Sequence, residues 1–314
     1  MKKKQIKDLI ISFIMALIIY GIIMFLMSAG IVDYYWSGIL IMACINVILA
    51  TSLNLASGYL GQLTLGHAGF MSVGAYTSAL CSLYLHFPFL LSLLIGAIAA
   101  CLIGVVIGIP TLRLKGDYLC IITLAFNEII RVIMLNLSIT NGAKGLMGFQ
   151  AMNIDFSVYF LSAVITIYVI YCIVKSRHGR AIISICEDET ASELSGIPTS
   201  YYKILAFAIS AFFAGIAGGL YAQYMGMLVP STFDYNKSVE ILVMVVLGGL
   251  GNLKGSIIAA IIMTILPEYL RAFADYRMLL YAIVLIAAMI IKEKNLVPRI
   301  KAKFFKTKTV EVDD

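Results

Sequence analysis

The sequence predicts an all-α integral membrane protein of about ten transmembrane helices, interrupted by glycine-rich helix breaks. Of the 314 residues, 61% are hydrophobic and only 13% are charged, and the mean hydropathy is +0.98. Soluble domains are about half apolar and about a quarter charged. The apolar residues form long runs, most of which can cross a hydrocarbon core of about 30 Å. Composition therefore assigns the chain to the membrane class before any motif is considered.

The apolar runs define the predicted spans in order. These are residues 9–28, 37–57, 68–86, 89–109, 118–137, 157–174, 204–224, 238–250, 256–273 and 277–291. We interpret the first run as an uncleaved helix, because it is too long for a signal peptide despite the basic residues Lys2–Lys4 before it. The run at 238–250 is too short to cross alone, and the glycines after it predict a break.

Positive charge predicts the orientation, because cytoplasmic loops carry an excess of Lys and Arg. With the N-terminus inside and ten crossings, most of the 23 basic residues lie in cytoplasmic segments. The predicted organisation is a cytoplasmic N-terminus at 1–8, one transmembrane domain at 9–291 and a basic cytoplasmic tail at 292–314. This bias, together with contact between the tail and anionic lipid, explains the net charge of +6 without nucleic acid.

The stretch 175–203 is the longest charged segment between the spans. It begins with basic residues, becomes acidic at Glu187, Asp188, Glu189 and Glu193, and ends at Gly196-Ile197-Pro198. Acids in the first turn and Gly and Pro beyond the last turn are start and stop signals of a helix. We infer a short helix that contacts a soluble partner.

Two glycine-dense breaks share the pattern G-x-L-G-[Q/N]-L. The first contains Gly58, Gly61 and Gly66, and the second contains Gly248, Gly249, Gly251 and Gly255. Glycine costs a helix interior about 1 kcal/mol relative to alanine, so the helices should open there. Irregular backbone at membrane depth must be buried in protein or line a cavity, and paired breaks indicate a transport path. The alternative is a pair of turns that permit close helix packing.

Polar residues inside the spans are candidates for a translocation path or gate. They are Asn54, Gln62, Thr64 and His67 around the first break, and Asn127, Glu128 and Arg131 within 118–137. Glu128 and Arg131 are three apart and can pair on one helix face. Charges within a membrane usually face the bundle interior, so the pair indicates either a path wall or an ion pair that fixes packing. The polar residues around the first break could equally form hydrogen bonds with backbone groups that the break leaves without partners in the helix.

The sequence gives little support for nucleotide binding, metal binding or catalysis by this chain. The dipeptide Gly-Lys does not occur, so a nucleotide-binding P-loop is impossible. The three histidines lie apart without carboxylates at ligand spacing, so no metal site is predicted. No two of the six cysteines have the C-x-x-C spacing, and we interpret them as small apolar residues that pack between helices. With no nucleophile and base in evident arrangement, an intramembrane enzyme is disfavoured, and no cofactor is expected on this chain.

Several blocks resemble one known family. Residues 54–70, NLASGYLGQLTLGHAGF, followed by Gly74-Ala75-Tyr76-Thr77, resemble the signature of permease subunits of branched-chain amino acid ABC importers. Similar blocks follow in order at 113–118 (RLKGDY), 123–131 (TLAFNEIIR), 179–197 and 247–255. The resemblance runs from about residue 37 to 290 and is closer to the M-type subunit than to the H-type.

The resemblance implies a type II ABC importer-like permease in the bacterial cytoplasmic membrane, with both termini cytoplasmic. Leucine, isoleucine or valine would be the substrate, although related permeases carry urea, other amides or other amino acids. Implied partners are a homologous H-type permease, two cytoplasmic ATPases that bind ATP and Mg, and an extracytoplasmic substrate-binding protein.

The resemblance also places an ATPase-coupling loop within 175–203. Glu189-Thr190-Ala191 and Gly196 stand where related permeases carry E-A-A…G, with Thr190 replacing the first alanine. The expected coupling residues are Arg180, Glu187, Asp188, Glu189, Ala191 and Gly196.

A second class of function remains open from the sequence. A stand-alone ion-coupled carrier or channel for a small polar solute would explain the helix breaks and Glu128 without partners. It explains the charged stretch 175–203 poorly. Co-purification with an ATPase distinguishes the two.

Overall fold

A computed structural model describes residues 17–27 except Ile19, Gly30, 33–111, 116–148, 154–270 and Ile286. These residues are almost entirely α-helical, which confirms the predicted fold class. The chain divides into one compact unit that ends at Ile261 and a second that begins at Ile262. All contacts described below belong to the first unit. In the second unit, residues 262–269 are helical.

Ten helices, numbered in chain order, are bounded within the described residues. They are α1 (Tyr34–Leu53), α2 (His67–Leu85), α3 (Phe89–Thr111), α4 (Asp117–Asn136), α5 (Phe156–Lys175), α6 (Arg177–Glu187), α7 (Glu189–Leu194), α8 (Thr199–Met225), α9 (Tyr235–Gly248) and α10 (Leu253–Tyr269). A π-helix at Asn54–Tyr59 continues α1. Short 3₁₀ turns occupy Ser138–Thr140, Gly142–Lys144 and Pro230–Phe233.

Six stretches of the described chain are long and apolar enough to cross a membrane. They are Tyr34–Tyr59, His67–Leu85, Phe89–Pro110, Asp117–Asn136, Phe156–Lys175 and Thr199–Met225. They match six of the predicted spans, most to within a few residues. Helices α9 and α10 have 14 and 17 residues. Only part of the predicted span 9–28 is described, and of 277–291 only Ile286 is, so the number of ten crossings stays a prediction.

Helix α8 begins five residues before the predicted span 204–224. It starts at Thr199, directly after Pro198, and includes Lys203, which its charge had assigned to the loop. Thr199 and Lys203 are one turn apart and both are buried. The helix therefore extends further into the charged stretch than the predicted span, and the buried Lys203 has a partner within the protein, as shown below.

Small residues let α8 pack closely against α2 and α3. A Cβ on Gly74 of α2 would overlap the backbone of Gly215 of α8, and a Cβ on Gly218 would overlap the carbonyl of Met71. Small residues at helix interfaces allow the backbone contact on which helix association in membranes depends. Helix α8 therefore lies at the centre of the described bundle.

Two predicted loops, 138–156 and 225–237, meet at a two-stranded antiparallel pair. Strand β1 (Leu146–Met147) pairs with β2 (Met227–Leu228). The Tyr76 hydroxyl donates a hydrogen bond to the Leu228 carbonyl over 3.3 Å, which fastens the pair to α2. Strands this short carry no alternating pattern, so the sequence did not predict them.

Candidate coupling and translocation site

Helix α7 is a short polar helix with both ends fixed. At its start, the Asp188 carboxylate accepts a hydrogen bond from the Ala191 N–H over 3.0 Å. At its end, the Gly196 N–H donates to the Glu193 carbonyl and the Ile197 N–H to the Ser192 carbonyl, the two bonds of a Schellman motif. These ends confirm the predicted helix stop, because Gly196 adopts φ +80°.

One acid of α7 points inward and joins the helix to α8. The Glu189 carboxylate accepts a hydrogen bond from the Lys203 ammonium group over 2.6 Å. The Lys203 side chain is only 5% exposed and that of Glu189 is 29% exposed. A buried ammonium group needs a paired anion to offset its lost hydration. Glu189 therefore fastens α7 to α8.

An apolar cluster joins α6, α8 and the first glycine break. Ile182 and Ile185 of α6 pack with Leu60 of the break and Ala206 of α8. Partly buried side chains complete the cluster: Tyr59, Ile197 and Tyr202. Gly61 lies next to α6 as well, since a Cβ there would lie 2.8 Å from the Cys186 Sγ. Helix α6 therefore contacts both α8 and the first break.

The opposite side of this helix pair is exposed. Glu187, Asp188, Ala191 and Glu193 are exposed on it. Leu194 lies among them and is 85% exposed. The sequence analysis missed Leu194, although a leucine opposite the inward-facing Ser192 could have indicated it. An acidic surface with one apolar side chain suits contact with a soluble protein.

The two glycine breaks contact each other. The Asn54 Oδ1 accepts a hydrogen bond from the Gly251 N–H over 3.0 Å, across 197 positions of the chain. A Cβ on Gly58 would overlap both the Asn54 side chain and the Gly251 nitrogen. Gly251 itself has φ +73°, a conformation that favours glycine. The matching motifs therefore form one interlocked structure in which Asn54 is fully buried.

Close backbone contact also shapes the second break. A Cβ on Gly255 would overlap the Gly248 carbonyl, and one on Gly248 would overlap Ser256. Gly249 has φ +102°, so α9 ends there and α10 starts after a sharp turn. The glycines of this break thus serve both backbone conformation and close packing.

Two of the four polar candidates around the first break, Asn54 and His67, form side-chain hydrogen bonds within the protein. The His67 Nε2 and the Ser52 hydroxyl are 2.8 Å apart, and both residues are buried. Thr64 is buried and Gln62 is partly exposed. Gly66 packs against α4, since a Cβ there would lie 2.9 Å from the Thr123 carbonyl oxygen.

Two residues that the sequence analysis did not select support the backbone of this break. The Thr123 hydroxyl accepts a hydrogen bond from the Leu65 N–H over 3.0 Å. The Ser238 hydroxyl accepts one from the Ala68 N–H over 3.1 Å, in the first turn of α2. The first N–H groups of a helix lack partners within it, and in a membrane they need other acceptors. Thr123 and Ser238 therefore stabilise the opened segment.

The remaining candidates lie on α4. The Asn127 amide donates to the Phe233 carbonyl over 3.4 Å, and a Cβ on Gly69 would lie 3.1 Å from the Asn127 Oδ1. The predicted ion pair is present, with 2.7 Å between the Arg131 Nε and the Glu128 Oε2. Both side chains are about 30% exposed. Thr123 and Asn127 are one turn apart on the buried face of α4, whereas the ion pair lies beside that face.

The predicted residues therefore fall into two groups. The first comprises the two breaks, Asn54 and the α6–α7 pair, which form one connected structure. The second comprises Asn127, Glu128 and Arg131 on α4. Arg180 stands apart from the α7 surface and lines a cavity beside Lys254. Among the described residues, no cluster of three or more His, Cys, Asp or Glu side chains could hold a metal ion.

Apolar membrane-length helices, paired breaks and a polar helix pair fastened to a central span define a multi-pass membrane transport protein. Sequence comparison identifies the class further. The chain belongs to the family described as branched-chain amino acid transport system, permease component, which matches residues 35–289. Membership makes the chain a permease and not an enzyme.

The names of individual proteins that are similar to this chain agree with the description of the family. The chain is 34% identical to LivM of Escherichia coli (strain K12), named a high-affinity branched-chain amino acid transport system permease protein, over 91% of this chain and 74% of that protein. LivM of Salmonella typhimurium is 33% identical over the same shares. LivH of Escherichia coli (strain K12) is 28% identical over 43% of each chain. No solved structure matches the chain.

Proposed function

We propose that this chain is the M-type permease subunit of an ABC importer for branched-chain amino acids. Its similarity to LivM covers 91% of the chain, and a shorter part is similar to LivH of the same organism. Both relatives are named permease proteins of a high-affinity branched-chain amino acid transport system. The chain would form the translocation path with a second, homologous permease of the H type.

The observation that carries the coupling proposal is the ion pair between Glu189 and Lys203. Two separate cytoplasmic ATPases would bind the exposed side of α6 and α7 and close on ATP and Mg. Because α7 is held at both ends and paired to α8, its displacement moves the central helix of the bundle. Such a cycle requires the ATPases to bind the inward-open and outward-open states with different affinity.

The proposed location is the bacterial cytoplasmic membrane, with both termini in the cytoplasm. The basic residues Lys175, Arg177 and Arg180 support this orientation, because they cluster where α5 leaves the membrane. An extracytoplasmic substrate-binding protein would then approach the opposite face, where β1 and β2 pair.

The proposed path runs along the half-exposed side of α4. Helix α4 buries Leu119, Thr123, Asn127 and Ile130, which leaves Glu128 and Arg131 beside the buried face. Charged side chains within a membrane rarely face lipid. This side of α4 would therefore meet the partner permease, and the interlocked breaks would act as a gate that α6 and α7 control.

Affinity purification of the tagged full chain from its native membrane tests the proposal. We expect a second permease and an ATPase to co-purify, and Leu194→Glu to remove the ATPase alone. The reconstituted complex should accumulate leucine only with ATP. Purification of the chain as a single component that still transports would instead support a stand-alone carrier.

A further inference from the structure

A basic cavity of about 510 Å³ lies where α5, α6 and the second break meet. Its lining includes Lys175 at the end of α5, Arg180 in α6 and Lys254 in α10, together with Tyr171 and Val174. No residue of α7 lines this cavity.

The fold brings the three cations together. The Ser176 hydroxyl accepts a hydrogen bond from the Gly179 N–H over 3.2 Å and starts α6 immediately after α5. A Cβ on Gly179 would overlap the Val174 carbonyl, so glycine is required for this tight turn. Lys175, Arg180 and, from the start of α10 beside the second break, Lys254 all line the cavity.

The cavity has an unbalanced positive charge. None of its lining residues is acidic. Lys175, Arg180 and Lys254 are all exposed, and none of them forms an ion pair with another residue that the structure describes. Three cations around one cavity attract anions by their summed field, and Lys254 adds to the positive N-terminal end of α10. A bound phosphate group would reduce the repulsion among them.

An exposed apolar stripe leads from the membrane-spanning part of α5 to this cavity. Leu161, Ile165 and Tyr168 are 58%, 51% and 46% exposed. Their spacing continues through Cys172 to Lys175, so all five positions share one helix face. Basic pockets between helices at the cytoplasmic surface suit anionic lipid headgroups. A free phosphate ion would need the cations but not the stripe.

We propose that this cavity binds the phosphate headgroup of an anionic phospholipid, with the acyl chains along the α5 stripe. The lipid would bridge α5, α6 and the second break, on the membrane face that we propose as cytoplasmic. The ligand chemistry is a phosphodiester, and the apolar stripe favours lipid as its source.

Native mass spectrometry of the purified full chain tests this proposal. The chain would be exchanged into detergent with phosphatidylglycerol, with phosphatidylcholine, or with inorganic phosphate. The test variant is Lys175→Gln/Lys254→Gln. The matched control is Lys144→Gln/Arg177→Gln, which removes the same charge from exposed residues that do not line the cavity.

We expect wild type and control to retain phosphatidylglycerol in preference to phosphatidylcholine. The test variant should bind it about tenfold more weakly or worse, because each Lys or Arg near an anionic lipid contributes several-fold in affinity. A thermal melt in each detergent mixture shows whether the variants remain folded.

Two results would overturn the proposal. Equal phosphatidylglycerol retention by test variant and control would show that the cavity is not the site. Binding of inorganic phosphate equal to that of the lipid would indicate a free-anion site. Because the readout is lipid retention, neither of these results bears on the transport proposal.

Discussion

The ammonium group of Lys203 lies 2.6 Å from the carboxylate of Glu189, and this ion pair joins α7 to the long central helix α8. Glu189 directly follows the N-cap of α7, and Lys203 lies one turn into α8. The pair therefore spans the Schellman turn at Gly196 and connects α7 to the start of α8.

Exchanging the charges of Glu189 and Lys203 tests whether the two residues act through their mutual attraction or through the identity of each side chain. Glu189→Lys places two cations together and leaves Lys203 unpaired, which should abolish most ATP-dependent uptake. Loss of the partner should destabilise the protein by about 1–3 kcal/mol, less than for a fully buried pair because Glu189 is 29% exposed. The double variant Glu189→Lys/Lys203→Glu should recover a substantial part of uptake and melting temperature. Uptake as low in the double variant as in Glu189→Lys would mean that the ion pair does not transmit the motion.

Backbone conformation, not side-chain size, should limit substitution at Gly196. Its φ is +80°, and no atom lies within 4 Å of an added Cβ. L-residues in the left-handed region cost about 1–2 kcal/mol, and asparagine is tolerated better there than alanine. We therefore expect uptake and melting temperature to fall in the order Gly196, Gly196→Asn, Gly196→Ala. The reverse order for the two variants would show that size matters instead.

The hydrogen bond between the breaks should stabilise the protein more than an equivalent exposed bond. Asn54→Ala removes the buried acceptor of the Gly251 N–H, which should cost about 1–3 kcal/mol. Asn252→Ala is the matched control, because the exposed Asn252 Oδ1 accepts a similar bond from Gly255. The melting temperature should fall clearly more for Asn54→Ala. Equal shifts would argue against an interlocked pair of breaks.

Substitution of Glu128 distinguishes between two roles for the Glu128–Arg131 pair, lining the translocation path or fixing helix packing. The two side chains are three residues apart on one helix, and pairs at this spacing stabilise a helix by only about 0.2–0.5 kcal/mol. We expect Glu128→Gln to lower uptake while the melting temperature stays nearly constant. Normal uptake with a clearly lower melting temperature would assign the pair to helix packing.

The pH dependence of maleimide labelling at the Cys186 thiol reports on the electrostatic environment of the α6 surface. Burial and, secondarily, the Glu187 carboxylate raise the pKa of this thiol above its usual value. The reactive thiolate is therefore scarce at neutral pH, and maleimide labelling of a variant that retains only Cys186 should accelerate as the pH rises. Glu187→Gln should lower the pKa and speed labelling at pH 7. A labelling rate that does not change with Glu187→Gln would exclude this electrostatic influence.

Local signals in the sequence predicted much of this structure. Apolar runs predicted the long helices, and the glycines predicted where α1 and α9 end. The acids before Gly196 predicted α7. These features depend on residues close in the chain, for which periodicity and capping rules apply.

Contacts between distant residues left no such signal. The sequence did not show that Asn54 reaches Gly251, or that Thr123 and Ser238 support the opened backbone of the first break. Lys203 was assigned to the loop, because a charge in isolation predicts exposure and only the fold reveals its partner. For the same reason the sequence could not decide between path and packing roles for His67.

Leucine uptake into sealed vesicles tests the central claim, that this permease is driven through α7 by separate ATPases. Vesicles would contain either the complete complex or this chain alone, with internal or external ATP or with an ion gradient only. The account predicts accumulation only by the complete complex with ATP on the α7 side, and a large loss with Glu189→Lys. Accumulation by the chain alone, driven by the ion gradient without nucleotide, would contradict it.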